Sequence, residues 1–184
     1  MQTDSSIPRR RSIRLPTFDY STTGAYFITI CTKDKKPLFG RMEGIDVRLT
    51  TIGKIVDECW LDIPNHFPQV ELAAHIVMPE HLHGVILLRP VRNGGDGAKN
   101  QCRARHAVPL RTENVPREFA VPMARSIPTI VGAFKSAVSK RARLQTAHSI
   151  WQRGYYEHVI RNADDFQKTR EYIRMNPARR ALKT

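Results

Sequence analysis

Two apolar segments in the middle of the chain, residues 69–78 and 81–88, are separated only by Pro79 and Glu80. Each segment has the length of a strand, and a proline-containing dipeptide between them is typical of a turn. The pattern predicts a β-hairpin, because two antiparallel strands can be joined by two residues. Any fold open to this chain must accommodate that antiparallel pair.

A predicted strand and a predicted helix precede the hairpin. Residues 25–32 are rich in aromatic and β-branched side chains, which favours a central strand. Apolar residues recur at steps of three and four over residues 49–63, the pattern of a helix with one buried face. Thr50 or Thr51 is placed to cap that helix, and Pro64 to end it.

A helix, an extended segment and a second helix are predicted after the hairpin. The first helix begins at Ser126, the extended segment covers residues 149–160, and the last helix ends at Pro177. The order strand, helix, strand, strand, helix, strand, helix is that of the ferredoxin-like plan. We therefore predict an α+β fold: a split βαβ antiparallel sheet with helices on one face.

Two segments lie outside this plan. Residues 1–20 are polar and basic and contain two prolines, which predicts a flexible arm. Residues 90–125 have no sustained period, and a loop of that length is normally a functional flap or an insertion. We predict that it is mostly disordered and that it interrupts one domain spanning residues 21–182.

The charge of the chain is unbalanced: 30 Lys and Arg residues stand against 17 Asp and Glu residues, a formal net charge of +13. This excess favours a polyanionic partner, because each cation placed against a phosphate releases condensed counterions. Nucleic acid is the leading candidate. A solvated basic surface, or association with ribosomes, is the alternative.

Other classes of protein are disfavoured. No apolar run approaches the roughly 20 residues of a membrane span, and the N-terminal residues lack the apolar core of a secretory signal. The cysteines, Cys31, Cys59 and Cys102, are too scattered for a disulfide framework or a cysteine zinc site. We expect a cytoplasmic protein without membrane contact, associated with the nucleoid in a prokaryote.

The triplet His81-Leu82-His83 opens the second arm of the predicted hairpin. Residues two apart on a strand point to the same face, so both imidazoles should project together. Two neutral imidazoles side by side can bind a metal ion. The alternative is a polar, half-exposed strand face that happens to carry two histidines.

Tyr172 and Asn176 are four residues apart on the last predicted helix and should share one of its faces. A tyrosine hydroxyl is a possible nucleophile towards a phosphodiester, and an asparagine carbonyl oxygen is a suitable ligand for Mg²⁺ or Mn²⁺. The alternative for Tyr172 is a half-buried core aromatic. No general base for its proton stands out in the sequence.

Weaker candidates lie in the extended segment and on the basic surfaces. His158, with Glu157, is either a supporting member of the site or a structural hydrogen-bonding residue. Trp151, Tyr155 and Tyr156 could stack on splayed bases or pack in the core. Candidate phosphate contacts, with a solvated surface as the alternative, are Arg153, Arg161, Arg174, Arg179, Arg180, Lys135, Lys140 and Arg141.

Four of these motifs together resemble the single-tyrosine HUH transposases, in particular the REP-associated tyrosine transposase branch. In order they are Met78-Pro-Glu-His-Leu-His-Gly84, Trp151-Gln-Arg-Gly-Tyr-Tyr-Glu-His158, Ile160-Arg-Asn162 and Tyr172-Ile-Arg-Met-Asn-Pro177. The resemblance runs from about residue 24 to residue 182, excluding 90–125. That excluded segment is longer than in the simplest relatives. The difference affects what the resemblance implies about recognition of a DNA hairpin, and it does not affect the catalytic core.

The resemblance implies a role for each matching residue. His81 and His83 would be the metal ligands, Asn176 a third polar ligand and Tyr172 the nucleophile, on a C-terminal catalytic helix of a ferredoxin-like domain. A divalent cation, Mg²⁺ or Mn²⁺, and single-stranded or hairpin DNA are implied as cofactor and partner. Relatives act as monomers or as dimers that exchange the tyrosine helix, so monomer and homodimer both remain open.

The expected function is therefore a DNA transposase that nicks and rejoins hairpin-bearing single strands through a 5′-phosphotyrosine. The alternative is a non-catalytic module on the same scaffold that binds DNA by sequence or structure. A third reading, a metal-dependent hydrolase, would use the same histidines without forming a protein–DNA ester.

Overall fold

The computed structural model of the chain describes residues 22–90 and 126–182. The predicted arm and nearly all of the predicted loop lie outside these ranges. The elements are β1 (Gly24–Cys31), β2 (Gly40–Glu43), β3 (Asp46–Leu49), α1 (Thr51–Leu61), α2 (Ile63–His66), β4 (Val70–Met78), β5 (His81–Leu88), α3 (Ile127–Arg141), β6 (Tyr156–Ile160) and α4 (Ala163–Ala181).

The centre of the fold is a four-stranded antiparallel sheet in the order β4-β5-β1-β6. β4 and β5 form the predicted hairpin, with Met78 opposite His81 on either side of the turn. β1 lies between β5 and β6, so the prediction of a central strand and of the α+β class is confirmed. Among the described residues, no helix is both long enough and apolar enough to cross a membrane.

Alternate residues of the central strands face two different layers. Tyr26, Ile28 and Ile30 of β1 lie in the main core, together with buried residues of α1 and α3. Phe27 and its neighbours on the other face pack around Ile173 of α4. Helices α1 and α3 therefore cover one face as predicted, and in the part of the chain that the structure describes α4 is the one helix on the opposite face.

Gly84, directly after the histidine triplet, lies on the main-core face beneath Trp60 of α1. A Cβ atom at this position would come within 2.2 Å of the Trp60 ring, which is fully buried. Only glycine allows the helix to approach the strand this closely. The strand that presents the histidines is thus held at its place by packing on its other side.

The prediction that Pro177 ends the last helix is wrong, because α4 continues to Ala181. Proline lacks the N–H for the usual hydrogen bond and normally stops a helix. Beyond it, Arg180 forms an ion pair with Glu80 in the turn between β4 and β5, and Arg179 lies over the ring of Tyr172. These contacts stabilise the last turn of α4 and offset the hydrogen bond that is lost at Pro177.

The short hairpin formed by β2 and β3 was not predicted. Each strand has only four residues, so the alternation of Val47 and Leu49 with charged residues in β3 is too short to be distinctive; the turn is marked only by Gly44 at φ 63°. The next element begins as predicted, because the Thr50 side chain accepts a hydrogen bond from the Gly53 N–H. The extended segment 149–160 is shorter than predicted, with strand only from Tyr156.

Candidate active site

His81 and His83 lie on the face of the sheet that α4 covers. Antiparallel pairing places His81 opposite Cys31 and His83 opposite Thr29. Their ring centroids are 4.4 Å apart, and only 5% of His83 is exposed. The two imidazoles therefore project together from one strand into a largely buried space.

Both imidazoles are held in the neutral form. Burial lowers the pKa of His83 to about 3, and the neighbouring His81 adds to this effect. Burial also lowers the pKa of His81, against the opposing influence of the Glu80 carboxylate and of a hydrogen bond with Asn176. Neutral rings have free lone pairs, which is the state that binds a metal ion.

Two residues of β1 that sequence reasoning missed orient His83. The Thr29 hydroxyl is 2.8 Å from Nδ1 of His83, which leaves Nε2 as the nitrogen available to a ligand. Phe27 stacks on the same ring, with centroids 5.3 Å apart and an interplanar angle of 28°. Neither residue carried a sequence signal, because both belong to an ordinary strand pattern.

Tyr172 of α4 reaches the same space. Its ring centroid is 5.3 Å from that of His83 and 6.0 Å from that of Phe27. The Arg179 guanidinium lies over the ring, 5.6 Å from its centroid. Because 37% of Tyr172 is exposed, the residue is packed at one edge and open to solvent at another.

Asn176, one helical turn after Tyr172, lies close enough to His81 to raise the pKa of that imidazole. The helix that carries the tyrosine thus contacts both histidines of its own chain. In residues 22–90 and 126–182, no three His, Cys, Asp or Glu side chains gather into a metal-binding group. A divalent ion at this place would be bound by two imidazoles and an amide oxygen, a donor set that suits a cation retaining further oxygen ligands.

Glu80 links the histidine strand to the end of α4. It is 8% exposed, forms an ion pair with Arg180, and has Oε1 3.5 Å from Nδ1 of His81. Its carbonyl oxygen accepts hydrogen bonds from the backbone N–H and the hydroxyl of Thr32, at 2.9 and 3.0 Å. From the sequence alone, Glu80 is predicted only as a turn residue and Arg180 only as a candidate phosphate contact.

Arg180→Ala should destabilise the fold, because the Glu80 carboxylate would stay buried without its cation. Truncating one partner of a charged hydrogen bond costs about 1–3 kcal/mol in the free energy of unfolding. Urea denaturation at neutral pH measures the effect. Arg174→Ala, an exposed position on the same helix, is the matched control and should change stability by less than about 0.5 kcal/mol. Equal losses in the two variants would contradict a specific role for the ion pair.

The remaining predicted residues are distributed around the fold. His158 Nε2 lies 3.0 Å from Asp165, at the start of α4, and Glu157 pairs in register with Ile28, whose side chain belongs to the main core. Lys135 donates to the carbonyl oxygens of Gln152 and Gly154. Two of the basic candidates form ion pairs within the protein: Arg141 with Glu58, and Arg180 with Glu80. The other candidates for phosphate contact are exposed: Arg153, Arg161, Arg174, Arg179 and Lys140.

Acid should destabilise the metal-free protein through His83. Between pH 6.5 and 3 the unfolded chain binds a proton at this residue that the folded chain does not, so stability is retained above pH 6.5 and lost as the pH falls. The loss at pH 5 should be on the order of 2 kcal/mol. Urea denaturation at pH 7 and 5, with a chelator present, should show that the free energy of unfolding falls less in His83→Gln than in the unaltered protein. An equal fall in both proteins would contradict His83 as the group responsible.

Three comparisons with known proteins bear on the family and the fold. No family model matches the sequence. An uncharacterised protein of Haemophilus influenzae is 37% identical over 175 residues, which make up 95% of this chain and 91% of that protein. The solved structure of a REP-associated tyrosine transposase bound to a REP hairpin superposes with a TM-score of 0.58 at 20% identity. The superposition covers 94% of this chain and 74% of the other, and it shows a common fold.

Proposed function

Since this chain belongs to one family with the Haemophilus influenzae protein and has the fold of the REP-associated tyrosine transposase, we propose that it is a DNA strand transferase. It nicks and rejoins hairpin-bearing single-stranded DNA through a 5′-phosphotyrosine. The observation that carries this proposal is the approach of Tyr172 to His83, at 5.3 Å between ring centroids, on a helix that also brings Asn176 near His81.

His81, His83 and Asn176 would hold a divalent cation, Mg²⁺ or Mn²⁺. A bound cation supplies Lewis-acid stabilisation of a phosphate oxygen. The residues of the chain prepare the site for it: burial keeps both rings neutral, and the Thr29 hydroxyl orients His83.

Tyr172 would attack the phosphorus atom of the scissile phosphodiester. The new bond joins the phenolic oxygen to phosphorus, and the bond from phosphorus to the 3′ oxygen breaks. The phenol loses its proton and the departing 3′ oxygen gains one, so the products are a 5′-phosphotyrosine and a free 3′-hydroxyl. Attack by another 3′-hydroxyl on the phosphotyrosine reverses the step, without a nucleotide cofactor.

DNA as the partner is supported by charge and by the neighbouring structure. The REP-associated transposase was solved with a REP hairpin, and the net charge of +13 in this chain suits a polyanion. Arg179 lies beside Tyr172, where a guanidinium could pair with a phosphate. Because Tyr172 and the histidines meet within one chain, a monomer would carry a whole site.

A labelling experiment tests the proposal directly. The protein is incubated with a pool of single-stranded hairpins that carry random unpaired arms, with Mg²⁺ or Mn²⁺, and analysed under denaturing conditions. Strands labelled at the 3′ end should migrate with the protein, and strands labelled at the 5′ end should be released as a shorter fragment. Chelation should remove both products.

The other two readings give different outcomes in the same assay. A hydrolase would cut the DNA and leave both fragments free of protein. A non-catalytic module would bind the hairpins with strong salt dependence, indifferent to the chelator, and would cut nothing. Either pattern would contradict the proposed transferase.

A further inference from the structure

The candidate active site continues sideways across the sheet. Thr29 is paired with His83 on one side and with Tyr156 on the other, so the three side chains share one face. α4 packs mainly against β4, β5 and β3. The part of this face on β1 and β6 is therefore less covered by the helix.

An aromatic surface fills that less covered part. Tyr156 is 49% exposed, and its ring meets Phe27 edge-on at 6.4 Å. Phe27 in turn meets Tyr172 edge-on at 6.0 Å. We call Tyr156, Phe27 and Tyr172 the aromatic shelf; it runs from the outer strand of the sheet to the proposed nucleophile.

Neighbouring aromatics of the same segment face the interior. Trp151 packs against Phe39 and Phe134, and its indole N–H donates to the Lys135 carbonyl oxygen at 3.0 Å. The hydroxyl of Tyr155 is buried, and its ring packs against the main core. Core packing thus accounts for these two residues and does not account for the exposed ring of Tyr156.

The turn before Tyr156 is held in place by the rest of the fold. The Lys135 ammonium group donates to the carbonyl oxygens of Gln152 and Gly154, at 2.9 and 2.6 Å. Gly154 has φ 77°, a left-handed conformation that glycine adopts without strain. Tyr156 is therefore presented from a fixed strand end, which reduces the entropy lost when a ligand stacks on it.

We infer that Tyr156 binds an unpaired nucleobase of the DNA strand by stacking, next to the phosphate that reaches Tyr172. This inference rests on the proposed function and adds a base-binding subsite to it. Exposed Arg153 and Arg161 lie before and after β6, so cations stand at both ends of the strand that presents the ring. A base attached to a phosphate backbone matches both the ring and the flanking charges.

The test measures DNA binding without catalysis. All proteins carry Tyr172→Phe and are kept in a chelator, and the DNA is a hairpin with or without an unpaired arm. Tyr156→Ala should bind the armed hairpin about 10- to 100-fold more weakly than the parent, and the armless hairpin equally well. Tyr156→Phe, which keeps the stacking surface, should stay within about 3-fold of the parent. Leu144→Ala, at a 94% exposed position outside the shelf, is the surface control and should change nothing.

Abasic substitutions in the arm identify the contacted base. At one position of the arm, removal of the base should weaken DNA binding by the parent protein. The same removal should cause no further loss of binding in Tyr156→Ala, because the base and the Tyr156 ring act as a coupled pair. Undiminished binding of the armed hairpin by Tyr156→Ala would overturn the inference while leaving the strand transferase intact. An equal loss on armless DNA would also overturn it. If the parent bound no hairpin DNA at all, the proposed function itself would fail.

Discussion

Tyr172→Phe should form no covalent protein–DNA adduct while keeping the fold and the affinity for DNA. The substitution removes only the hydroxyl, so the ring contacts with His83, Phe27 and Arg179 remain possible. Loss of an enzyme's nucleophile costs up to about 10⁶-fold in rate, and we expect adduct formation to fall by at least about 10⁴-fold. Denaturing electrophoresis of strands labelled at the 3′ end measures it.

Tyr156→Phe provides the matched control for the first prediction. It removes a hydroxyl from the same face of the sheet but not from the proposed nucleophile, so adduct formation should continue. DNA binding by Tyr172→Phe in a chelator should match the unaltered protein, which separates loss of chemistry from loss of substrate. An adduct that persists in Tyr172→Phe would exclude this residue as the nucleophile.

His83→Ala should remove the binding of a divalent cation and, with it, strand transfer. One imidazole and one amide would remain as protein ligands, too few to hold the ion against water. Changes to groups that merely orient a ligand cost about 10- to 100-fold in metal affinity, so loss of the ligand itself should cost at least 100-fold. Mn²⁺ titration followed by electron paramagnetic resonance measures the affinity without DNA.

Two further variants sharpen the metal prediction. Thr29→Val removes the hydroxyl that orients His83 and should weaken Mn²⁺ binding by about 10- to 100-fold. His75→Ala is the control, because His75 pairs in register with Gly84 on the opposite face and contacts Asp57 there. Mn²⁺ affinity unchanged in His83→Ala would contradict the donor set, and an equal loss in His75→Ala would indicate a general structural effect.

Much of the scaffold could be predicted from local patterns. The apolar runs on either side of Pro79 and Glu80 predicted the β4–β5 hairpin, which is confirmed. Placing His81 and His83 on one face followed from the two-residue period of a strand, and placing Tyr172 and Asn176 on one face followed from the helical period. These periods are properties of the backbone, so they can be recognised before the tertiary structure is known.

Contacts between distant parts of the chain could not be predicted in this way. Glu80 and Arg180 are 100 residues apart, and nothing near either residue indicates that they pair. Phe27 and Thr29 orient His83 only because β1 lies beside β5, a strand order that no local period encodes. The continuation of α4 past Pro177 depends on the same long-range contacts, and for that reason the local rule for proline was wrong here.

The sequence by itself determined which side chains share a strand face or a helix face, because backbone geometry sets those periods within a few residues. Only the tertiary structure decided that the histidine face and the tyrosine face meet, with Tyr172 and Asn176 against His83 and His81 of the same chain. That meeting depends on burying the apolar side of α4 on the sheet and on the ion pair at its end. Both interactions join segments that are far apart in the chain, and local sequence patterns do not show which distant segments will come into contact.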